Sequence, residues 1–368
     1  MLELLKKRKF QGNLRSLRST AELIDFSSND YLGMARARTL YNRVASEMQN
    51  LTNGGLLNGL GSTGSRLLTG NSCYAEEQES KIAFFHGYEA GLFFSCGYMA
   101  NVGLLSAVAQ EGDRILYDIH VHASSYDGLR LSKANCLPWR HNDIQHLQKR
   151  LKAPHPKKGK TFVCIESVYS MDGTKAPLEE ICQLCSEHEA LLIVDEAHAL
   201  GVFGPQGSGL VREKGLARFV FAQVNTFGKA LGVHGAIVLG SDLLKQYLIN
   251  FSRPCIYTTA LPLHALVSIS LAYEEMKVLD EERINLQQLI RYFCLIRKGE
   301  QSSTPIQPVK IGDPFKAREL ADLLRKGGFN VSVILSPTVP RGQECLRICL
   351  HAFNTLNQID QLVELLNA

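Results

Sequence analysis

Short apolar runs alternate with helical patterns from about residue 75 to residue 240. The candidate strands lie at residues 91–94, 114–117, 161–165, 191–194, 219–222 and 235–239. The helical patterns between them lie near residues 98–109, 121–133, 143–152 and 178–189. Apolar strands that alternate with helices are typical of a mainly parallel sheet with both faces covered. We therefore expect an α/β fold in which the ligand-binding side chains follow the carboxyl ends of the strands.

The remaining segments indicate a second, smaller domain. Long helical patterns occupy residues 260–279 and 284–298. After them the order is strand, helix, strand, strand, helix, at residues 306–311, 314–326, 331–335, 345–350 and 355–366. Pro254 interrupts the helical periodicity and places a boundary near residue 250. We expect an amino-terminal segment over residues 1–40, a large catalytic domain over 41–250, and linking helices with a small α+β domain over 251–368.

One lysine lies between small residues shortly after a candidate strand. Lys229 follows the apolar run at 219–222, and glycines on both sides allow a bulky partner to approach its amine. Upstream, Asp195 ends the apolar run at 191–194. A desolvated lysine amine forms imines with carbonyls, and a strand-end carboxylate can keep a pyridine nitrogen protonated. Together these two residues predict an enzyme that uses pyridoxal phosphate (PLP).

Two glycine-containing turns are candidate phosphate sites. Gly59, Gly61 and Gly64 have the GxGxxG spacing of dinucleotide-binding loops. No apolar strand precedes them, which favours a loop that closes near a ligand. Gly97 follows a candidate strand and opens a helix, where backbone N–H groups can bind a phosphate. A simple strand–helix turn fits the residues around Gly97 equally well.

Histidines near the strand ends allow more than one interpretation. His120 and His122 have the HxH spacing of a metal pair, and with residues 195–198 they could form a hydrolase site. His122 also begins a helical stretch, where its imidazole could stack on a planar ring. These residues alone leave metal ligand and core histidine open. Residues 195–198 also spell the DEAH box of helicases, but the chain lacks the GxxxxGK[ST] loop that a helicase requires.

Composition and charge exclude several other classes of protein. The 368 residues are 45% hydrophobic and 21% charged, as in ordinary globular proteins, and the formal net charge of +4 is weak for this length. The basic cluster at residues 6–9 indicates a solvated helix end, not a nucleic-acid site. Cys182 and Cys185 are expected to be small hydrophobic residues of an amphipathic helix. Free thiols, with neither a signal peptide nor a membrane span, lead us to expect a cytoplasmic protein.

Five segments together resemble the α-oxoamine synthases, which are PLP enzymes of the aspartate aminotransferase fold. They are residues 28–33, 61–66, 195–201, 226–232 and 337–340. The resemblance covers nearly the whole chain. It implies PLP-dependent transferase fold type I, an α/β architecture with a large, mainly parallel sheet domain and a small carboxyl-terminal α+β domain. It also implies PLP as the cofactor and no metal.

The resemblance implies a role for each residue at a matching position. Lys229 would form the imine with PLP and later move the Cα proton of the amino acid. Asp195 would pair with the pyridine nitrogen, and His122 would stack on the ring. The other implied contacts are with the phenolic oxygen region (His198, Ser170), the phosphate (Gly97, Tyr98, Thr226), the amino-acid carboxylate (Arg347) and the substrates more generally (Thr338 on the acyl path, Asn29). In this family the active site forms at a homodimer interface, so residues 257–259 would serve the other subunit.

The reaction that the resemblance implies is a decarboxylative condensation. L-alanine would react with a pimeloyl thioester of coenzyme A or an acyl carrier protein, releasing carbon dioxide and the free thiol, as in biotin biosynthesis. A related synthase that uses glycine or serine with another acyl-CoA is the alternative. A non-enzymatic PLP-bound scaffold would require the loss of Lys229 or Asp195, and both are present. Neither nucleic acid nor membrane is expected as a partner.

Overall fold

The computed structural model describes residues 1–17, 19–20, 22–54, 61–155, 159–299 and 301–367. Its α-helices, in chain order, are α1 (Leu2–Phe10), α2 (Arg38–Asn53), α3 (Cys73–His86), α4 (Gly97–Val108), α5 (Ala123–Leu131), α6 (Ile144–Lys152), α7 (Leu178–Glu187), α8 (Leu210–Glu213), α9 (Asp242–Phe251), α10 (Arg253–Tyr257), α11 (Leu263–Met276), α12 (Asp280–Ile296), α13 (Pro314–Lys326) and α14 (Leu356–Asn367). Its strands are β1 (Ile24–Asp25), β2 (Ala90–Phe94), β3 (Arg114–Asp118), β4 (Asn135–Trp139), β5 (Thr161–Glu166), β6 (Leu191–Asp195), β7 (Val220–Thr226), β8 (Ala236–Gly240), β9 (Ile306–Lys310), β10 (Phe329–Asn330), β11 (Ser332–Ile334) and β12 (Cys345–Cys349).

The larger of two compact units, Met34–Tyr169 with Lys175–Asp280, is built on a seven-stranded sheet. The strand order is β2-β8-β7-β6-β5-β3-β4, in which β8 runs antiparallel to both of its neighbours and the other pairs are parallel. All of β5 is buried, and β6 is buried except for its first residue. This burial explains their continuous apolar sequences, since strands covered on both faces need no polar side.

Helices α4 and α5 begin at the same edge of this sheet as the polar strand ends. Because β8 is antiparallel to both β2 and β7, β2 runs parallel to β7. Helix α4 follows the carboxyl end of β2, and α5 follows that of β3. Leu104 and Leu105 of α4 share one apolar core with Cys164, Ile193 and Val224 of the sheet. Burial of each leucine side chain contributes about 1.5–3 kcal/mol, which holds α4 against the strands.

The smaller unit consists of Met1–Gly33, Ser170–Thr174 and Glu281–Ala368. It contains an antiparallel sheet of order β11-β12-β9 and a two-stranded parallel sheet of β1 and β10. All five residues of the central strand β12 are buried. Arg347 lies in this strand, opposite Ser332 on one side and Pro308 on the other.

The predicted strands of the larger unit are confirmed, and β7 continues to Thr226. The sequence did not reveal β4, which contains Pro138. Proline cannot donate a hydrogen bond to a sheet and is tolerated mainly at an edge, which is where β4 lies. None of the helices in the described parts of the chain is both long and apolar enough to cross a membrane.

The compact units divide the chain at other positions than the predicted domains. The predicted boundary near residue 250 falls at the end of α9, just before α10, but both helices belong to the larger unit, which continues to Asp280. Pro254 lies in the first turn of α10, where its missing N–H removes no helical hydrogen bond. It therefore starts a helix within the larger unit. Met1–Gly33 belongs to the smaller unit with the carboxyl-terminal residues.

Candidate active site

Asp195 ends β6 with a buried side chain whose two oxygens both accept hydrogen bonds. The side-chain amide of Asn101 donates to Oδ2 over 2.7 Å, and the backbone N–H of Ala197 donates to Oδ1 over 2.9 Å. Asn101 belongs to α4 and is itself buried. These two donors fix the orientation of the carboxyl group at the carboxyl edge of the sheet.

His122 caps the amino terminus of α5 and is connected to Asp195 through two polar side chains. Asn101 Nδ2 also donates to Ser124 Oγ over 3.0 Å, and Ser124 Oγ lies 2.8 Å from His122 Nδ1. The backbone N–H of Ser124 donates to the same nitrogen over 3.2 Å. Since Nδ1 accepts, the hydrogen-bond network assigns the proton of the neutral ring to Nε2. Burial and the nearby Lys229 charge lower the pKa of His122, which favours this neutral ring.

Lys229 lies in the turn that connects β7 to β8. Backbone hydrogen bonds close this turn: Gly232 N–H donates to Lys229 O over 2.9 Å, and Val233 N–H donates to Phe227 O over 3.0 Å. Its charge acts on His122 and on Glu166, so its amine belongs to the same group of side chains. The turn therefore presents the lysine at the edge of the sheet where Asp195 lies.

Gly97, the first residue of α4, lies directly against Thr226 at the end of β7. A Cβ atom at residue 97 would lie 3.0 Å from Thr226 Oγ1 and 3.1 Å from its Cβ, so a larger residue would have to displace Thr226 by a few tenths of an ångström. The first N–H groups of a helix lack partners within the helix, and the helix dipole favours an anion there. Tyr98, the next residue, donates its hydroxyl hydrogen to Asp127 and presents its ring edgewise to His122, with 6.3 Å between ring centroids.

His198 and Glu196 both lie in the turn after β6 and are buried. Glu196 accepts hydrogen bonds from the N–H groups of Leu210 and Val211 over 3.2 and 3.3 Å. Gly209 leaves space for it, because a Cβ atom there would lie 1.8 Å from Glu196 Oε2. Burial raises the pKa of Glu196 to about 7. Glu196 thus holds the segment that begins α8 in place.

In the smaller unit, Arg347 is the centre of a buried cluster. Its Nε donates to the backbone carbonyl of Ser170 over 2.6 Å, and its Nη2 donates to Asn29 Oδ1 over 3.0 Å. Nη1 lies 2.9 Å from Cys349 Sγ, and the Tyr31 hydroxyl donates to Asn29 Oδ1 over 3.1 Å. A guanidinium group surrounded by neutral partners keeps its charge for an anionic ligand.

The predicted acyl-path residue Thr338 contacts an arginine near the amino terminus. Arg15 Nη2 donates to Thr338 Oγ1 over 3.0 Å, and both side chains are exposed. Asn13 donates to the backbone carbonyl of Ser336 over 3.3 Å. These contacts hold the segment around residues 13–15 against the segment around residues 336–338.

The glycine-rich loop is described only in part, because residues 55–60, including Gly59, lie outside the described residues. Beyond them, Gly64 O accepts from Ala260 N–H over 3.0 Å, and Ser65 pairs with Thr259. The segment predicted to serve a second subunit, residues 257–259, therefore contacts this loop within its own chain.

Most of the predicted cofactor residues lie in the larger unit, and contacts join them into groups. Asp195 is linked to His122 through Asn101 and Ser124, and Gly97 contacts Thr226. His120, in contrast, stacks on His141 at 4.1 Å between ring centroids. Of the residues in the smaller unit, Asn29, Ser170 and Arg347 form one cluster, whereas Thr338 contacts Arg15.

Three residues with structural roles were not predicted from the sequence: Asn101, Ser124 and Arg15. Asn101 had a usable signal, since it follows Gly97 by one helical turn and the other buried positions of α4 are apolar or glycine. Ser124 lies two residues after His122, the spacing at which its backbone N–H can donate to the imidazole of a histidine that caps the helix. The sequence offers no comparable signal for Arg15, because its partner Thr338 is 323 residues away.

Comparison with known proteins places this chain in a family. Residues 21–366 match the family described as aminotransferase class I and II. The chain belongs to this family. An 8-amino-7-oxononanoate synthase of Emericella nidulans is 42% identical over 370 residues, which cover 93% of this chain and 88% of that protein. These findings confirm the predicted resemblance to the α-oxoamine synthases, the fold type and the PLP cofactor.

Two solved structures are similar along nearly their full length. The 8-amino-7-oxononanoate synthase of Francisella tularensis is 30% identical with a TM-score of 0.79, over 94% of this chain and 97% of that chain. A serine palmitoyltransferase from S. paucimobilis, solved with a bound PLP–myriocin aldimine, is 28% identical with a TM-score of 0.86, over 99% of this chain and 95% of that chain.

The residues of the larger unit fit PLP chemically. The buried carboxyl group of Asp195 suits a pyridinium nitrogen, and the neutral ring of His122 suits an aromatic face. The start of α4, which packs against Thr226, has backbone N–H groups that suit a phosphate. Lys229 supplies the primary amine that an aldehyde requires.

Proposed function

We propose that this chain is an 8-amino-7-oxononanoate synthase. It condenses L-alanine with a pimeloyl thioester and releases carbon dioxide and the free thiol, a step of biotin biosynthesis. The observation that carries the proposal is the 42% identity, over 93% of the chain, to a protein of that name. The Asp195, His122 and Lys229 arrangement supports the same chemistry independently.

Asp195 and Asn101 act on the charge of the bound cofactor. Bound PLP supplies an electron sink that stabilises a carbanion at the Cα of the amino acid. Asp195 holds the proton on the pyridine nitrogen and keeps that sink strong. Asn101 and the Ala197 amide orient the carboxyl group for this task. His122, neutral and fixed through Nδ1, stacks on the ring without adding a positive charge beside it.

Lys229 is the base that moves the proton at Cα. Its amine would hold the cofactor through the aldehyde and, next to the Cα of the bound amino acid, would accept the proton. Gly97, Tyr98 and Thr226 hold the phosphate, and His198 and Ser170 contact the phenolic oxygen region. These contacts keep the ring in place while Lys229 moves the proton.

Arg347 binds the carboxylate of alanine, with Asn29 beside it. Its guanidinium is held by neutral groups and the residue is 6% exposed, so a charged hydrogen bond to a carboxylate gains strength from the low local dielectric. Arg15 and Thr338 contact the acyl substrate, whose thiol carrier is coenzyme A or an acyl carrier protein. The protein works as a cytoplasmic homodimer to which residues 257–259 contribute in the other subunit.

The test is the amino-acid dependence of the cofactor spectrum. Purified holoenzyme is titrated with alanine, glycine and serine, and then given pimeloyl-CoA or pimeloyl acyl carrier protein. We expect alanine to give the largest spectral change at the lowest concentration, and mass spectrometry to detect 8-amino-7-oxononanoate. Turnover with only one of the two thioesters identifies the carrier. Saturation by glycine or serine in preference to alanine would refute the proposed substrate while leaving the family intact.

A synthase that uses serine or glycine with another acyl-CoA is the second candidate. The serine palmitoyltransferase structure has the higher TM-score, 0.86 against 0.79 for the 8-amino-7-oxononanoate synthase. Backbone similarity reports the shared fold more than the pocket that selects the acyl chain. The same titration, extended to palmitoyl-CoA, separates the two candidates.

A further inference from the structure

Glu166 is a second buried acid at the edge of the sheet where Asp195 lies. It ends β5, and Asp195 ends the neighbouring strand β6, with the two residues paired in the parallel register. Side chains of paired residues in parallel strands point to the same face. Glu166 is 3% exposed, so little water can screen one carboxyl group from the other.

The two oxygens of Glu166 have different surroundings. The carboxyl group accepts a hydrogen bond from the backbone N–H of His122, the residue that caps α5. The other oxygen, Oε1, is buried and has no hydrogen-bond partner. A buried ionised carboxylate with an unpaired oxygen is strongly disfavoured, whereas an unpaired oxygen on a neutral carboxylic acid costs much less.

The charged and titratable groups around Glu166 shift its pKa in opposite directions. Burial and the adjacent Asp195 raise the pKa of Glu166 well above its ordinary value, and Asp118 adds to this effect. The Lys229 charge and the His122 amide oppose them. Cys164 on the same strand has a pKa that burial also raises. Of the two neighbouring acids, Glu166 is thus the one whose ionised form is disfavoured, because Asp195 has two N–H donors and Glu166 has one.

We infer that Glu166 is a positioning residue of the cofactor site, protonated at neutral pH, which holds the His122 peptide while remaining uncharged beside Asp195. Its influence on the cofactor passes through His122, whose ring orientation depends on the start of α5. An uncharged Glu166 leaves Asp195 as the acid that pairs with the pyridine nitrogen. The inference concerns cofactor binding and needs neither the amino acid nor the thioester of the proposed reaction.

The first test compares three proteins by cofactor binding. Glu166→Gln keeps an oxygen that can accept from His122 and carries no charge, so PLP affinity of the cofactor-free protein should stay within about threefold. Glu166→Ala removes the acceptor and should weaken binding by about tenfold, as expected for a lost hydrogen bond to a buried amide. The circular dichroism of bound PLP should also change in Glu166→Ala, and Gln should restore it. Equal losses in both variants would show that the charge itself is required and overturn the inference, as would normal binding in Glu166→Ala.

The second test detects the proton directly in cofactor-free protein. Infrared difference spectra between wild type and Glu166→Gln at pH 7.5 should contain the C=O band of one protonated carboxylic acid. Glu196→Gln is the matched control, because the pKa of Glu196 is about 7 and that residue has lost most of its proton at this pH. The inference would be overturned if neither difference spectrum contained this band, or if only that of Glu196→Gln contained it. This readout remains available if Glu166→Ala fails to fold, and its outcome is independent of which substrates the enzyme uses.

Discussion

The cluster around Asp195 is assembled from strand ends and helix starts of one sheet, whereas the cluster around Arg347 combines segments that are distant in the chain. Asp195, Asn101 and Ser124 take their places from β6, α4 and α5, elements that the apolar pattern already predicts. Arg347 instead contacts residues 177 and 318 positions away. The first cluster therefore depends on local architecture, and the second on long-range closure of the smaller unit.

The two clusters also differ in charge. The first brings together two neighbouring buried acids and a half-buried lysine, and both Asp195 and Lys229 act on the pKa of Glu166. The second surrounds a single cation with neutral oxygen and sulfur atoms. This difference suits their proposed tasks, because moving a proton requires coupled titratable groups, whereas binding a carboxylate requires a permanent charge.

Lys229→Ala should produce the largest effect. It removes the amine of the first cluster, so turnover should fall by roughly 10³-fold or more, as when the nucleophile of a catalytic set is removed. The visible absorption of the cofactor–lysine imine should also disappear. Borohydride reduction of wild type followed by peptide mapping should place the label on Lys229. Lys214→Ala, which breaks only an exposed ion pair with Glu179, is the control, and a label on any lysine other than Lys229 would contradict the assignment.

Asp195→Asn should retain PLP and lose activity by roughly 10²–10³-fold, the range for removal of one electrostatic stabiliser. A neutral amide cannot hold the pyridinium proton. Exchange of the alanine Cα proton with solvent measures this step without the thioester. Exchange at the wild-type rate in Asp195→Asn would mean that Asp195 has only a structural role.

Glu196→Gln tests whether Glu196, which follows Asp195 in the sequence, affects the stability of the fold and not catalysis. Burial moves the pKa of Glu196 from 4.5 to about 7 in the folded protein, so the folded state binds its proton more tightly than the unfolded state. The free energy of unfolding should therefore fall as pH rises from about 4.5 to about 7, by about 3 kcal/mol in all. Urea unfolding at pH 5 and pH 8 should show this loss in wild type and in the exposed control Glu180→Gln. In Glu196→Gln the loss should be smaller by that amount, and an unchanged pH dependence would contradict the buried-acid account.

Arg347→Ala should weaken alanine binding roughly ten- to a hundredfold, since a charged hydrogen bond contributes about 1.5–3 kcal/mol. The KM of the thioester should change much less, because its acyl chain does not use this contact. Spectral titration with alanine and steady-state variation of the thioester measure the two quantities. Normal alanine binding together with lost acyl selectivity would mean that Arg347 reads the acyl substrate.

Arg15→Ala should have the smallest effect and the opposite selectivity. The side chain is exposed and makes a hydrogen bond to Thr338, so its loss should raise the thioester KM by roughly two- to tenfold. Alanine titration should be unchanged. An effect on alanine alone would contradict the separation of the two substrates between Arg15 and Arg347.

Much of the larger unit could be predicted because its signals are local. The apolar runs that became β5 and β6 end at Glu166 and Asp195, and the glycines near Lys229 mark the turn that presents it. The partners of these residues were harder to find. Asn101 becomes significant only when α4 packs beside β6, and the role of Arg347 could be inferred from the family resemblance but not from periodicity. The short strands β1 and β10, two residues each, carry no periodic signal at all.

The pairing of β1 with β10 also has a consequence for how the protein is made. Ile24 pairs with Phe329, so β1 has no sheet partner until some 300 further residues have been synthesised. At about 5–20 residues per second, that interval is roughly 15 to 60 seconds. The sheet of the larger unit, complete by Gly240, can form during this time. Strand β1 therefore joins its sheet only after the strands of the larger unit have all been synthesised.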